Sequence, residues 1–169
     1  EYEPLGGRRY DFLELYRMED ADAALFILNS AAETAKEAVD ALRKEGLKVG
    51  LIRPNVIRPF PLDEVRAALA KVKGLVVADR QDNYGAYGGA MTLEVKAALQ
   101  GLAGNSTKVA GRIYGIGGKE FFVEDAEEML HEALDIAAKG EVKTPYAYFG
   151  ANPGEKGYAP PKAYAPIAE

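Results

Sequence analysis

At 169 residues and 48% hydrophobic composition, the chain has room for one ordinary globular domain with a core of its own. A net charge of −5 and an isoelectric point near 5.1 leave no general basic field for a phosphate backbone, so nucleic acid is not an expected partner. The absence of cysteine removes disulfides, thiolate metal sites and the usual iron–sulfur ligation, and no apolar run approaches the roughly 20 residues of a membrane helix.

Residues 1–22 place Tyr2, Tyr10, Phe12 and Tyr16 among charges, with Pro4 and Gly6-Gly7 interrupting any early helix, and read as an aromatic arm. The chain starts at Glu1 without a basic and apolar leader, as expected of a fragment or a processed subunit of a cytoplasmic protein. Ala23 to Leu28 is a continuous apolar run of strand length, the pattern of a parallel strand covered on both faces. Ser30-Ala31-Ala32-Glu33 then matches a capping box, and Ala31, Ala35, Ala38 and Leu42 form one helix face ended by Gly46.

A second strand, Val49 to Ile52, runs into Arg53-Pro54. Prolines 54, 59 and 61 fix their own φ and bias Arg53, Arg58 and Phe60 towards extended backbone, giving a stiff crossing. Leu62, Val65, Leu69 and Val72 recur at helical spacing, with Asp63 and Glu64 in the first turn where carboxylates suit the helix dipole. Phe60 is expected to pack on the sheet or on a neighbour.

Leu75 to Ala78 is a third strand ending at Asp79-Arg80, and a polar loop, Gln81 to Gly89, leads to a helix carrying Met91, Val95, Ala98 and Leu99. Val109 to Tyr114 is a fourth strand, which Arg112 marks as an edge. The turn Gly115 to Lys119 precedes a last helix with Ala126, Leu130, Ala133 and Ala137 inside. Beyond Gly140 the periodicity stops, and prolines alternate with Tyr146, Tyr148, Phe149, Tyr158 and Tyr164. Aromatics at this density suit an arm docked on a neighbouring domain or subunit.

Four alternations of strand and helix predict an α/β fold: a three-layer, mostly parallel open sheet of four or five strands with helices on both faces. The expected organisation is an N-terminal aromatic arm (1–22), an α/β domain (23–140) and a Pro/Tyr-rich C-terminal arm (141–169).

No catalytic, cofactor-binding or metal-binding residue is expected. Gly115 to Gly118 with Lys119 lacks the P-loop spacing, and the first strand-to-helix turn, Leu28 to Ala32, has no glycine for a pyrophosphate to approach. Glu33, read as a cap, would also repel a phosphate there. His131, with Glu127 and Asp135 one turn away on either side, reads as a solvated helix face.

The carboxyl edge of the sheet is the place to look for function. Asp79 and Asp82 sit there, and Asn29, Arg53, Arg58 and Tyr114 should collect on the same edge. Phe60, Asn83 and Tyr84 complete the candidate interface. No pair looks like a tuned acid and base, so the rim suits a protein partner better than a small molecule.

Five stretches together carry a family resemblance: Leu15 to Ala21, Asn29 to Arg53, Arg58-Pro59-Phe60-Pro61, Leu75 to Gly89, and Ile113 to Glu120. Over roughly residues 15–139 they resemble the alpha subunit of 2-oxoacid:ferredoxin oxidoreductases of the pyruvate type, in the region similar to the transketolase C-terminal domain. Asn29 to Ala32 departs from the glycine-containing run common in relatives, and Val123 stands where a Thr-Pro helix start is common.

The resemblance implies a structural, assembly role in a cytoplasmic enzyme that oxidatively decarboxylates pyruvate or a related 2-oxoacid and passes electrons to ferredoxin. Thiamine diphosphate, Mg and [4Fe-4S] clusters are then expected in partner domains or subunits of beta, gamma or delta type, with ferredoxin and coenzyme A met indirectly. The alternative is a free-standing small-ligand or nucleotide-binding α/β module.

Overall fold

The structure, a computed structural model, describes residues 3–7 and 10–150. Along the chain run α1 (Glu3–Gly6), β1 (Leu13–Tyr16), β2 (Ala23–Ile27), α2 (Ser30–Lys44), β3 (Val49–Pro54) and α3 (Leu62–Leu69). They are followed by β4 (Gly74–Asp79), α4 (Ala90–Leu99), β5 (Lys108–Ile113), α5 (Val123–Lys139) and β6 (Tyr146–Tyr148). The six strands form one sheet in the order β1-β3-β2-β4-β5-β6. β1 runs antiparallel to β3, and every other neighbouring pair is parallel.

The expected count of four or five strands is thus corrected to six. The extra strands come from the segments read as arms: backbone groups left open along β3 and β5 are satisfied by Leu13–Tyr16 and Tyr146–Tyr148. Tyr158 and Tyr164 of the C-terminal segment, and Tyr2 of the N-terminal one, lie outside the described residues.

β2 and β4 occupy the middle of the sheet and are buried along their whole length, which their unbroken apolar runs require. Successive side chains of β2 point to opposite faces. Ala23, Leu25 and Ile27 pack with α2 and α5, while Ala24 and Phe26 pack with α3 and α4. Alanines 31, 32, 35 and 38 are the buried residues of α2's first turns, and their small side chains let the helix lie close to the sheet. Gly46, at φ +84°, follows the last turn in the left-handed conformation that glycine adopts without a steric cost.

Two local expectations are corrected. The capping box at Ser30 does not form: the residue before α2 is Asn29, at φ 60°, with no side-chain cap, and Glu33 turns away to Lys36 and Arg53. Two cations offer that carboxylate more than one backbone N–H does. Arg112 does not mark an edge either, since β6 pairs outside β5. Its guanidinium is buried and satisfied by Glu132, by the carbonyl of Gly111 and by that of Thr144 at 3.0 Å.

At the other helix start, the Asp125 carboxylate accepts the Phe122 N–H at 2.9 Å, which serves where Val123 departs from a Thr-Pro start. Between β3 and α3, the Arg58-Pro59 peptide is cis, and Phe60 is partly buried against the cluster holding Val65 and Leu69. Partial burial lowers the expected cost of Phe60→Ala to about 2 kcal/mol, below the range for a fully buried ring. Urea denaturation checks this, and a change within error of zero would mean that the ring does not contribute to the core.

Candidate functional site

The strand order places a crevice between β2 and β4. The connection leaving β2 crosses to β3 on one side, while the one leaving β4 crosses to β5 on the other, so the loops above the two strands diverge. A cavity of about 400 Å³ lies at this point. Its walls include Asn29 and Ser30 after β2, Arg58 from the crossing, Asp79 and Arg80 at the end of β4, and Tyr114 after β5.

Asp79 forms the floor. It is 3% exposed and accepts three hydrogen bonds, from the N–H groups of Met91 (2.8 Å) and Thr92 (3.1 Å) and from the Thr92 hydroxyl (2.7 Å). These donors open α4, so the carboxylate caps a helix that has no cap of its own. Burial raises its pKa above the usual carboxylate range, against the lowering effect of the donors from Thr92 and Met91. With its acceptor capacity spent on α4, it is a structural group and not a free base. Gly89 is what permits the approach, since a Cβ there would lie 2.3 Å from the Asp79 carboxyl carbon.

The cations on the walls differ. Arg58 is ion-paired to Glu94 at 2.7 Å and donates to the Ile57 carbonyl. Arg80 is exposed and has no ion-pair partner among the described residues. Its side chain lies over the turn after Tyr114, close enough that a Cβ on Gly115 would come within 2.9 Å of its Nε. Tyr114 is 5% exposed, and burial pushes its hydroxyl pKa up while the Arg80 charge pulls it down.

Of the nine residues expected at the sheet edge or in the candidate interface, the cavity gathers Asn29, Arg58, Asp79 and Tyr114. Arg53 instead serves the β1 side, paired with Glu14 and Glu33. Phe60 packs in the layer below. Asp82 accepts the hydroxyls of Tyr146 and Tyr148 and so ties the loop after β4 to β6. Despite partial desolvation, those two donors hold its carboxyl below the usual range. The Asn83 carbonyl accepts the Ala86 N–H at 2.7 Å, and Tyr84 projects into solvent, 91% exposed.

Sequence reasoning missed two contributors, Arg80 and the backbone N–H groups at Ser30. Arg80 could have been found as the residue that follows a buried strand's terminal carboxylate. His131 is exposed on α5, and among the described residues no three His, Asp or Glu side chains converge as a metal site. Among the described residues, no helix is long and apolar enough to cross a membrane.

Comparison with known proteins gives a consistent result. The family described as pyruvate:ferredoxin oxidoreductase core domain II matches residues 21–126. The chain is 34% identical over 150 residues to the pyruvate synthase subunit PorA of Pyrococcus abyssi, covering 89% of this chain and 38% of that protein. It thus spans well under half the length of that relative. Among solved structures, a 2-oxoglutarate:ferredoxin oxidoreductase from Magnetococcus marinus superposes with a TM-score of 0.58 at 22% identity, covering 74% of this chain and 20% of that one. A split-gene transketolase superposes at 0.57 and 15% identity, covering 77% of this chain and 44% of that one. The two superpositions establish the transketolase-like fold.

Proposed function

The chain belongs to the pyruvate:ferredoxin oxidoreductase core domain II family, and from that membership we propose that it is an assembly domain of the alpha subunit of a 2-oxoacid:ferredoxin oxidoreductase. The observation that carries this reading is the match to the family over residues 21–126, which contain β2 to β5, the crossing and the cavity-lining turns, together with the alignment to PorA along 89% of the chain. The enzyme oxidatively decarboxylates pyruvate or a related 2-oxoacid in the cytoplasm and passes the electrons to ferredoxin.

The donor set of this chain does not fit the groups that such chemistry uses. An iron–sulfur cluster needs thiolates, and the sequence has no cysteine. A magnesium diphosphate takes oxygen ligands, and among the described residues no three His, Asp or Glu side chains converge to supply them. Asp79, the one buried carboxylate at the crevice, is committed to α4. Thiamine diphosphate, magnesium and the clusters therefore belong in this reading to neighbouring domains or subunits of beta, gamma or delta type. This chain offers them its carboxyl edge and its terminal segments.

Reconstitution tests the division of labour. The chain alone should give no pyruvate-dependent reduction of a viologen dye, and it should co-purify with co-expressed beta and gamma subunits of the same enzyme. Dye reduction by the isolated chain, or a monodisperse chain that ignores those subunits, would overturn the assembly role.

A further inference from the structure

One corner of the carboxyl-edge cavity gathers donors from three elements. Tyr114 is only 5% exposed, yet its hydroxyl makes no hydrogen bond among the described residues. No side-chain oxygen there is both sealed from solvent and unpaired, so this hydroxyl opens onto the space that Tyr114 lines. Beside it stands the start of α2, a helix of 15 residues with no side-chain cap. The N–H groups of Ser30 and Ala31 have no acceptor among the described residues, because the carboxylate expected to shield that end, Glu33, is held by Lys36 and Arg53. Arg80 brings the unpaired guanidinium, packed against Gly115 immediately after Tyr114.

We propose that this corner binds the phosphate group of a small phosphorylated molecule. The oxyanion takes the N–H groups of Ser30 and Ala31 at the positive end of α2, the hydroxyl of Tyr114 and the fork of Arg80. Donors from three elements suit a tetrahedral anion with several oxygens better than a planar carboxylate with two. The cavity of about 400 Å³ leaves room for the remainder of a small molecule, with Arg58 and Asn29 on the outer wall. Two carboxylates lie near and define the limits of the site. Asp79 is turned into α4 by its three donors, and Glu120 lines the adjoining space together with Ser30, Arg80 and Tyr114. The site goes beyond the assembly role and stands or falls without it.

Titrating the 169-residue chain with inorganic phosphate at constant ionic strength, followed by amide NMR, tests the assignment. Saturable shifts are expected at Ser30, Ala31 and Arg80. Arg80→Gln should weaken binding about tenfold or more, and Tyr114→Phe, which keeps the ring, about three- to tenfold, as the loss of one hydrogen bond predicts. Phenyl phosphate should bind at least as tightly as the free ion, because the cavity accepts its ring. Shifts that track matched chloride, equal shifts with acetate, indifference to both substitutions, or tenfold weaker binding of phenyl phosphate would each overturn the proposal. Both variants should retain the dispersed amide spectrum of the folded chain, since one alters an exposed side chain and the other removes a single oxygen.

Discussion

Gly74→Ala should destabilise the chain by about 3 kcal/mol or more, read as a lower urea midpoint at an unchanged slope. Gly74 opens β4 where the backbone of α5 packs directly against the strand. A Cβ built there would lie 2.0 Å from the carbonyl oxygen of Ala133 and 2.6 Å from the amide nitrogen of Ala137. Both atoms belong to helix backbone, so no rotamer change relieves the clash, and α5 must shift away from β2 and β4 to accommodate one methyl group. Gly6→Ala is the control, because nothing lies within 4 Å of its Cβ position and alanine favours helix there. A loss below about 0.5 kcal/mol at Gly74 would mean that α5 does not approach β4 as closely as described.

Asp79→Ala should cost about 3 kcal/mol, because it strands two N–H groups and a hydroxyl at a buried helix start. The pH dependence runs opposite to that of an ion-paired carboxylate. Since burial raises the folded pKa above the unfolded one, the native state holds the proton longer, and the native-state advantage falls as pH rises between the two values. The stability difference between the native chain and Asp79→Asn should therefore shrink from mildly acidic towards neutral pH and level off above the folded pKa. Urea denaturation of both proteins from pH 4 to pH 8 measures it, and a difference that grows with pH would show that the three donors outweigh burial.

Much of the fold was legible because its signals are local. Unbroken apolar runs identified β2 and β4 as strands, and the spacing of Val65 and Leu69, or of Ala126 and Leu130, identified helix faces. The outer strands were not legible, because Leu13–Tyr16 and Tyr146–Tyr148 are short and take strand form by pairing with β3 and β5. Arg112 misled for the same reason: a buried arginine is tolerated where Glu132 and two carbonyls meet it, and two of these partners, Glu132 and Thr144, lie 20 and 32 residues further along the chain. At the site, chain position was enough to bring Asn29, Asp79 and Tyr114 to one edge. Which side chains were free was decided by partners distant in sequence, such as Arg53 holding Glu33 and Thr92 holding Asp79.

The antiparallel run of β1 has a consequence for tethering. Because Leu13 pairs with Pro54 and Tyr148 with Ile113, β1 is entered and β6 is left at the same end of the sheet, the carboxyl end that also holds the cavity. The turns at Gly46, Gly101, Gly104 and Gly140 lie on the far side, with open space around each Cβ position. A fluorophore or short epitope inserted at those turns would sit at the opposite end of the sheet from the crevice, making that side the natural attachment point for reporters of binding at the carboxyl edge.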